Sequence, residues 1–322
     1  MENFASFLHY GSIFFIIGIT SLGTGIGGGW ASVKALAAIN IAPTTYADIF
    51  RTVIIGLALI ETSAILGIVM ALILLFGQQV DESQHMLFVG IAEWGIAFAL
   101  GLSGALVGLL SALPAQEAAF AISRQPFFSA KILNTMLLTL SIVQTPVIFS
   151  FLISLFIKAQ LDSLATMSNS IRLLASGLCI GIGSIGPTLG LARFAKMANK
   201  SISLNRDAYS ILMPFTFISQ AIIETPIIFA VLISLLLLFT PIKSDSNMMG
   251  ALSCLAAAFC AGFGTLGPGI SSGKIASTAC LEIALTPENS SLLSRTSILG
   301  QGVIDAAAMY ALLVSLIIII LR

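Results

Sequence analysis

Apolar positions run along this chain in long blocks rather than in the short alternations of a sheet or the narrow stripes of a surface helix. Eight such blocks pass through about 8 to 35, 52 to 76, 87 to 122, 132 to 157, 171 to 198, 208 to 239, 249 to 281 and 291 to 321. Each can cross a hydrocarbon core, which takes roughly 20 helical residues. The pattern predicts an all-α membrane protein with eight transmembrane helices, arranged as four tandem helical hairpins. Composition agrees: 57% of the 322 residues are hydrophobic, 9% are charged, and mean hydropathy is +1.06, which excludes a water-soluble globule. An even number of spans puts both termini on one side. The opening residues lack a basic n-region, so the first span is expected to be retained.

Net charge is zero, but its layout carries topology. Lys34, Arg51, Arg124, Lys131, Arg193, Lys196, Lys200, Arg206, Lys274 and Arg295 lie at or near the turn inside a hairpin, and only Lys158, Arg172, Lys243 and Arg322 lie on the opposite side. Basic residues are retained on the cytoplasmic face. The loops within hairpins should therefore be cytoplasmic and both termini outside, with the acidic connectors at Asp81, Glu82, Asp162 and Asp245. The four cysteines (Cys179, Cys254, Cys260, Cys280) fall in apolar helical stretches without metal-ligand spacing, and imply neither disulfides nor zinc.

The blocks repeat. The second span of each hairpin carries one polar residue in an apolar setting, Glu61, Gln144, Glu224 and Asp305, at intervals of 83, 80 and 81 residues. The first spans hold the glycines, among them Gly25, Gly27 and Gly29, Gly104 and Gly108, Gly186 and Gly190, and Gly267 and Gly269. Measured from Thr24, Val107, Pro187 and Pro268, the polar residue always follows 37 positions later. One unit is therefore used four times: hairpin 1 (1–82), hairpin 2 (83–165), hairpin 3 (166–245) and hairpin 4 (246–322). Helices without Cβ atoms approach closely, a main source of association in lipid, so the glycine helices are expected to form an inner layer and the carboxylate-bearing helices an outer one.

A charge at mid-membrane costs a few kcal/mol at least. Glu61, Glu224 and Asp305 each stand with at least nine uncharged residues on either side. Hydrocarbon disfavours the anion, so a resting group there is protonated or paired with a cation, and can exchange its ion when its surroundings change. A single buried acid could serve only to hold two helices together; three at one register, with the fourth kept as an amide, argue for ion binding. Gln144 keeps the shape of Glu but cannot ionise, which makes it a degenerate site. Thr62, Ser63, Thr225, Gln220, Gln301 and Ser272 are the expected supporting residues.

Glycine run, loop proline and mid-helix acid together resemble the rotor-ring c subunit, the proteolipid of rotary ATP synthases. Arg124-Gln125-Pro126 matches the family's loop, and Pro126 precedes Gln144 by 18 residues, as Pro43 precedes Glu61 and Pro287 precedes Asp305. The third hairpin has Arg206 there. Gly267-Pro268-Gly269 and Gly300-Gln301 also look like the family. The fusion is unusual, since members normally have one hairpin and the related vacuolar-type proteolipids two.

The resemblance implies a membrane rotor, with protons carried by reversible protonation of Glu61, Glu224 and Asp305 and coupled to ATP synthesis or hydrolysis. It implies no catalytic site in this chain and no cofactor. The implied partners are further copies in a homo-oligomeric ring, the stator's a subunit with its arginine, central-stalk subunits reached through Arg124, Gln125 and Pro126, and membrane lipid, with no nucleic acid. The implied location is a bacterial inner membrane. The F-type is favoured by the loop. The alternatives are a V/A-type proteolipid, including a sodium-coupled one, and an ion-coupled secondary transporter, which would be expected to show broken helices and longer loops.

Sodium sites use extra oxygens. Thr62 and Ser63 could serve at the first site, but the helix-one positions opposite Glu61, Glu224 and Asp305 are Gly28, Leu191 and Ser272, which favours protons. Glu93 and Glu117 are expected to contact headgroups or water, His9 and His85 to be structural or solvated, and Trp30 and Trp94 to pack or sit at the interface. Pro146 and Pro226 are expected to kink their helices beside the site.

Overall fold

The computed structural model describes residues 2–77, 83–164, 166–240, 242 and 248–321. Asp81, Glu82, Lys243, Asp245 and Arg322, which entered the charge reading, lie outside the described residues, as does the side chain of His85. Eight helical spans are long and apolar enough to cross a membrane, and no strand occurs among the described residues. The chain is an integral membrane protein of four tandem hairpins.

Hairpin 1 is α1 (Glu2–Ile41) and α2 (Tyr46–Leu75). Hairpin 2 is α3 (Ser83–Leu110) continued by α4 (Ala112–Arg124), then α5 (Ser129–Val143) continued by α6 (Thr145–Leu161). Hairpin 3 is α7 (Met167–Gly183) with α8 (Ile185–Leu204), then α9 (Tyr209–Phe239). Hairpin 4 is α10 (Met248–Gly264) with α11 (Leu266–Leu285), then α12 (Ser290–Leu321). Three loops turn through a short 3-10 segment begun by proline, at Pro43–Thr45, Pro126–Phe128 and Pro287–Asn289. Proline presets φ and has no N–H to lose at a helix start. The third loop, with Arg206 in that register, lacks such a segment.

Four spans carry a single-residue interruption, at Ser111, Gln144, Ser184 and Thr265, whose backbones stay in the right-handed helical region. Each precedes a proline by two or three residues: Pro114, Pro146, Pro187 and Pro268. The missing proline N–H frees a carbonyl one turn back. Two of these carbonyls find hydroxyls instead: Thr265 Oγ1 donates to Gly183 O at 3.0 Å and Thr145 Oγ1 to Ile142 O at 2.8 Å. Apart from these single residues, each of the four spans runs on as helix. Pro226 behaves differently from Pro146 and sits inside the continuous helix α9.

The glycine helices pack side by side in chain order, α1 on α3 and α4, these on α7 and α8, and these on α10 and α11, while α2, α5–α6, α9 and α12 lie over them. Glycine permits the approach. A Cβ on Gly190 would run into the Gly269 carbonyl, and one on Gly27 into the Gly108 carbonyl. Gly104 and Gly108 are filled by Thr20 and Thr24, Gly186 by Leu266, and Gly269 by Pro187. Two apolar clusters fill the halves of the molecule. Ile60, Val143 and Ile223 belong to one, Val147 and Ile227 to the other, so the repeated polar residue stands where the two meet.

The layer has two free flanks. The fifth span buries 78% of its apolar 18-residue stretch, the first and the last only 22% each. Gly25 and Gly29 on α1, and Gly267 on α11, face open space, unlike their counterparts inside the chain.

Candidate functional site

The repeated register brings Gln144, Glu224 and Asp305 to seams between hairpins and leaves Glu61 on the free flank. Gln144, 6% exposed, is bound on every side. Its Oε1 accepts from Thr62 Oγ1 at 2.9 Å, and its Nε2 donates to Leu59 O at 2.8 Å and to Ser111 Oγ at 3.1 Å. Thr62 and Leu59 belong to hairpin 1 and Ser111 to the helix-one partner, so the amide ties three helices. Thr62 Oγ1 also lies 2.7 Å from its own Leu59 O, and the hydroxyl foreseen as a ligand beside Glu61 is thus engaged by Gln144. Ser63 is buried and turned to Ile60 O at 3.3 Å.

Asp305 is 7% exposed, and Ser272 Oγ donates to its Oδ1 at 3.3 Å. Ser272 precedes Asp305 by 33 residues, as Ser111 precedes Gln144. Ser111 was missed by sequence reasoning, although this offset marks it. At the same offset Leu191 gives Glu224 no hydroxyl, and Gly28 none to Glu61. Glu224 is half-buried and Glu61, on the free flank, is exposed. Thr225 bonds only its own helix, at Ala221 O. None of the three acids forms a salt bridge among the described residues.

Gln220 and Gln301 are fully buried and reach across seams: Gln220 Nε2 donates to Thr139 O at 3.2 Å, and Gln301 Nε2 lies 3.5 Å from Ser219 Oγ and 3.0 Å from Ser297 Oγ. The loops also latch neighbour to neighbour, Gln125 Nε2 donating to Ser203 O and Asn205 Nδ2 to Ala284 O. Arg124 pairs with Glu117 at 3.9 Å, so Glu117 meets a cation rather than a headgroup.

Glu93 corrects its expectation outright. It is 2% exposed and meets His9 Nδ1 at 2.8 Å across hairpins 1 and 2, inside the protein rather than at the headgroups. Arg172 is likewise buried, donating to the Leu237 and Leu238 carbonyls at the end of α9 and to Gln160 Oε1; it satisfies backbone groups a helix end leaves open.

With acid, glycine layer and proline turn all in place, comparison with known proteins becomes decisive. The profile of the ATP synthase C subunit family matches residues 12–74 and 255–318. An ATP synthase c subunit of Cereibacter sphaeroides is 39% identical over 67 residues, covering 21% of this chain and 81% of that protein. The chain belongs to the ATP synthase c subunit family. The ATP synthase c subunit of Mesomycoplasma hyopneumoniae is 39% identical over 75 residues (23% of this chain, 72% of that protein), and that of Alkaliphilus oremlandii is 47% identical over 58 (18% and 66%). Both profile matches fall on the outermost hairpins, 1 and 4, whose mid-helix acids are Glu61 and Asp305 and where no proline follows within two residues.

Proposed function

We propose that this chain is a rotor subunit of a rotary ATP synthase, each of the segments 1–82, 83–165, 166–245 and 246–322 serving as one unit of a ring. The observation that carries the reading is a single register of the repeat holding Glu61, Glu224 and Asp305, with the amide Gln144 as the fourth member. The acids take up protons from a half-channel in the stator's a subunit, pass through lipid neutral, and release them near its arginine. Gln144, saturated by Thr62, Leu59 and Ser111, carries no ion, so one hairpin in four turns empty.

Copies close the ring through their free flanks. Gly23 and Gly186 hold one register of the repeat and each packs on the following hairpin, against Ala105 and Leu266. Gly267 holds that register in hairpin 4 and faces open space. Gly108 and Gly269 pack on the preceding hairpin, and Gly25, their counterpart, is open. The last hairpin of one copy thus fits the first of the next.

Protons rather than sodium suit the donor set. Ser272 supplies one hydroxyl to Asp305, Leu191 and Gly28 supply none, and Thr62 is held by Gln144; a hard cation needs more oxygens. The Arg124-Gln125-Pro126 turn favours the F-type, and Phe127 beside it is wholly exposed, a foothold for central-stalk subunits on the cytoplasmic side of a bacterial inner membrane.

Inverted membrane vesicles test this. ATP addition should acidify the lumen without added sodium, and dicyclohexylcarbodiimide, which attacks protonated carboxyls, should stop it while modifying this chain. Sodium-dependent transport, or strong protection from the reagent by sodium at neutral pH, would overturn the proton reading.

A further inference from the structure

Gln220 and Gln301 occupy one position of the repeat, four residues before Glu224 and Asp305. The same position in hairpins 1 and 2 is leucine, Leu57 and Leu140. Both glutamines are fully buried, and in both the nitrogen end is engaged: Gln220 Nε2 across a seam on Thr139 O, Gln301 Nε2 on Ser297 of its own helix and, across a seam, at 3.5 Å from Ser219 Oγ. In both, Oε1 is buried without a hydrogen-bond partner. A buried acceptor left unmade costs about 1–3 kcal/mol, and two at one register in one protein call for a donor that both sites share. Residues four apart on a helix are side-chain neighbours, and the group one turn on is, in each case, the acid.

We propose that Gln220 and Gln301 are positioning residues, whose carboxamide oxygens accept the acid proton of Glu224 and Asp305 in the neutral state that crosses lipid. This rests on the rotary reading and deepens it: a lone carbonyl oxygen beside a carboxyl favours the protonated form over the anion. Glu61, with Leu57 in that place, has no such acceptor, so the chain carries two classes of ion site. Among the described residues, the titratable group at this register on a helix packed against α12 is Glu224 itself, on α9. The basic residues nearest in register on the inner helices, Arg193 on α8 and Lys274 on α11, are exposed and pair with neither acid. On the adjoining α5 and α6 the residue at the register is Gln144, which does not titrate.

The test is dicyclohexylcarbodiimide labelling of the full chain in native membranes, resolved by residue with mass spectrometry across pH. In Gln220→Leu and Gln301→Leu, the pH at which labelling of Glu224 or Asp305, respectively, falls by half should drop by about one unit, with Glu61 unmoved in the same molecules. Leu57→Gln should raise that pH for Glu61. Midpoints that stay put, rise in the leucine variants, or shift together at all three acids would overturn the assignment. Acids unlabelled at every pH would instead sink the rotary reading on which it rests.

Discussion

Gln144 and Asp305 occupy the same register of the repeat, and the protein treats them as opposites. Three partners from two neighbouring spans saturate the amide, its helix is interrupted at that residue, and Pro146 follows two positions later. The carboxyl has one donor, Ser272, and stands in the continuous helix α12. An amide can make every bond at once and become a bolt between hairpins; on the proposed rotary reading, an acid that exchanges a proton keeps capacity unspent. On that reading, losing the ionisable group converts the position from carrier to fastener.

The largest expected effect comes from changing a carrier into a fastener. Asp305→Asn or Glu224→Gln should reduce ATP-driven proton pumping by roughly tenfold or more, read as quenching of a pH-sensitive dye in inverted vesicles. Next is the glycine layer that brings the sites together. Gly190→Leu should destabilise the folded chain by at least about 1–3 kcal/mol, seen as an earlier midpoint in denaturing-detergent titration. Gly25→Leu, on the free flank, should leave that midpoint in place while lowering the yield of assembled ring.

Loss of the fastener itself is milder. Gln144→Ala removes bonds worth about 0.6 kcal/mol each in membrane proteins, so the chain should lose roughly 1–2 kcal/mol on the same titration yet keep its pumping. The smallest change is Ser272→Ala, which takes one 3.3 Å hydrogen bond from Asp305; its carbodiimide labelling rate at neutral pH should move by less than about fivefold.

Much of the architecture was legible because it is written in local pattern. Block length fixes the eight spans, the 37-residue offset fixes the four units, and Pro43, Pro126 and Pro287 fix three of the turns. What escaped depends on which side chains meet across hairpins. Glu93 reads as a headgroup contact until His9, 84 residues away, is placed beside it. Gln125, expected in a docking loop, also gives its amide to Ser203, 78 residues on, a contact local pattern does not show. The interruptions at Ser111, Ser184 and Thr265 were missed although Pro114, Pro187 and Pro268 announce them. Gln220 and Gln301 appeared only as supporting polar residues; their unpaired oxygens emerge once the seam has used their nitrogens.

The rotary reading gives each chain four hairpins but three ion carriers. The direct measurement is the number of protons moved per turn, from the limiting ATP-to-gradient ratio in proteoliposomes, set against hairpins counted in images of the same ring. The expected ratio is three protons to four hairpins. One proton per hairpin would contradict it.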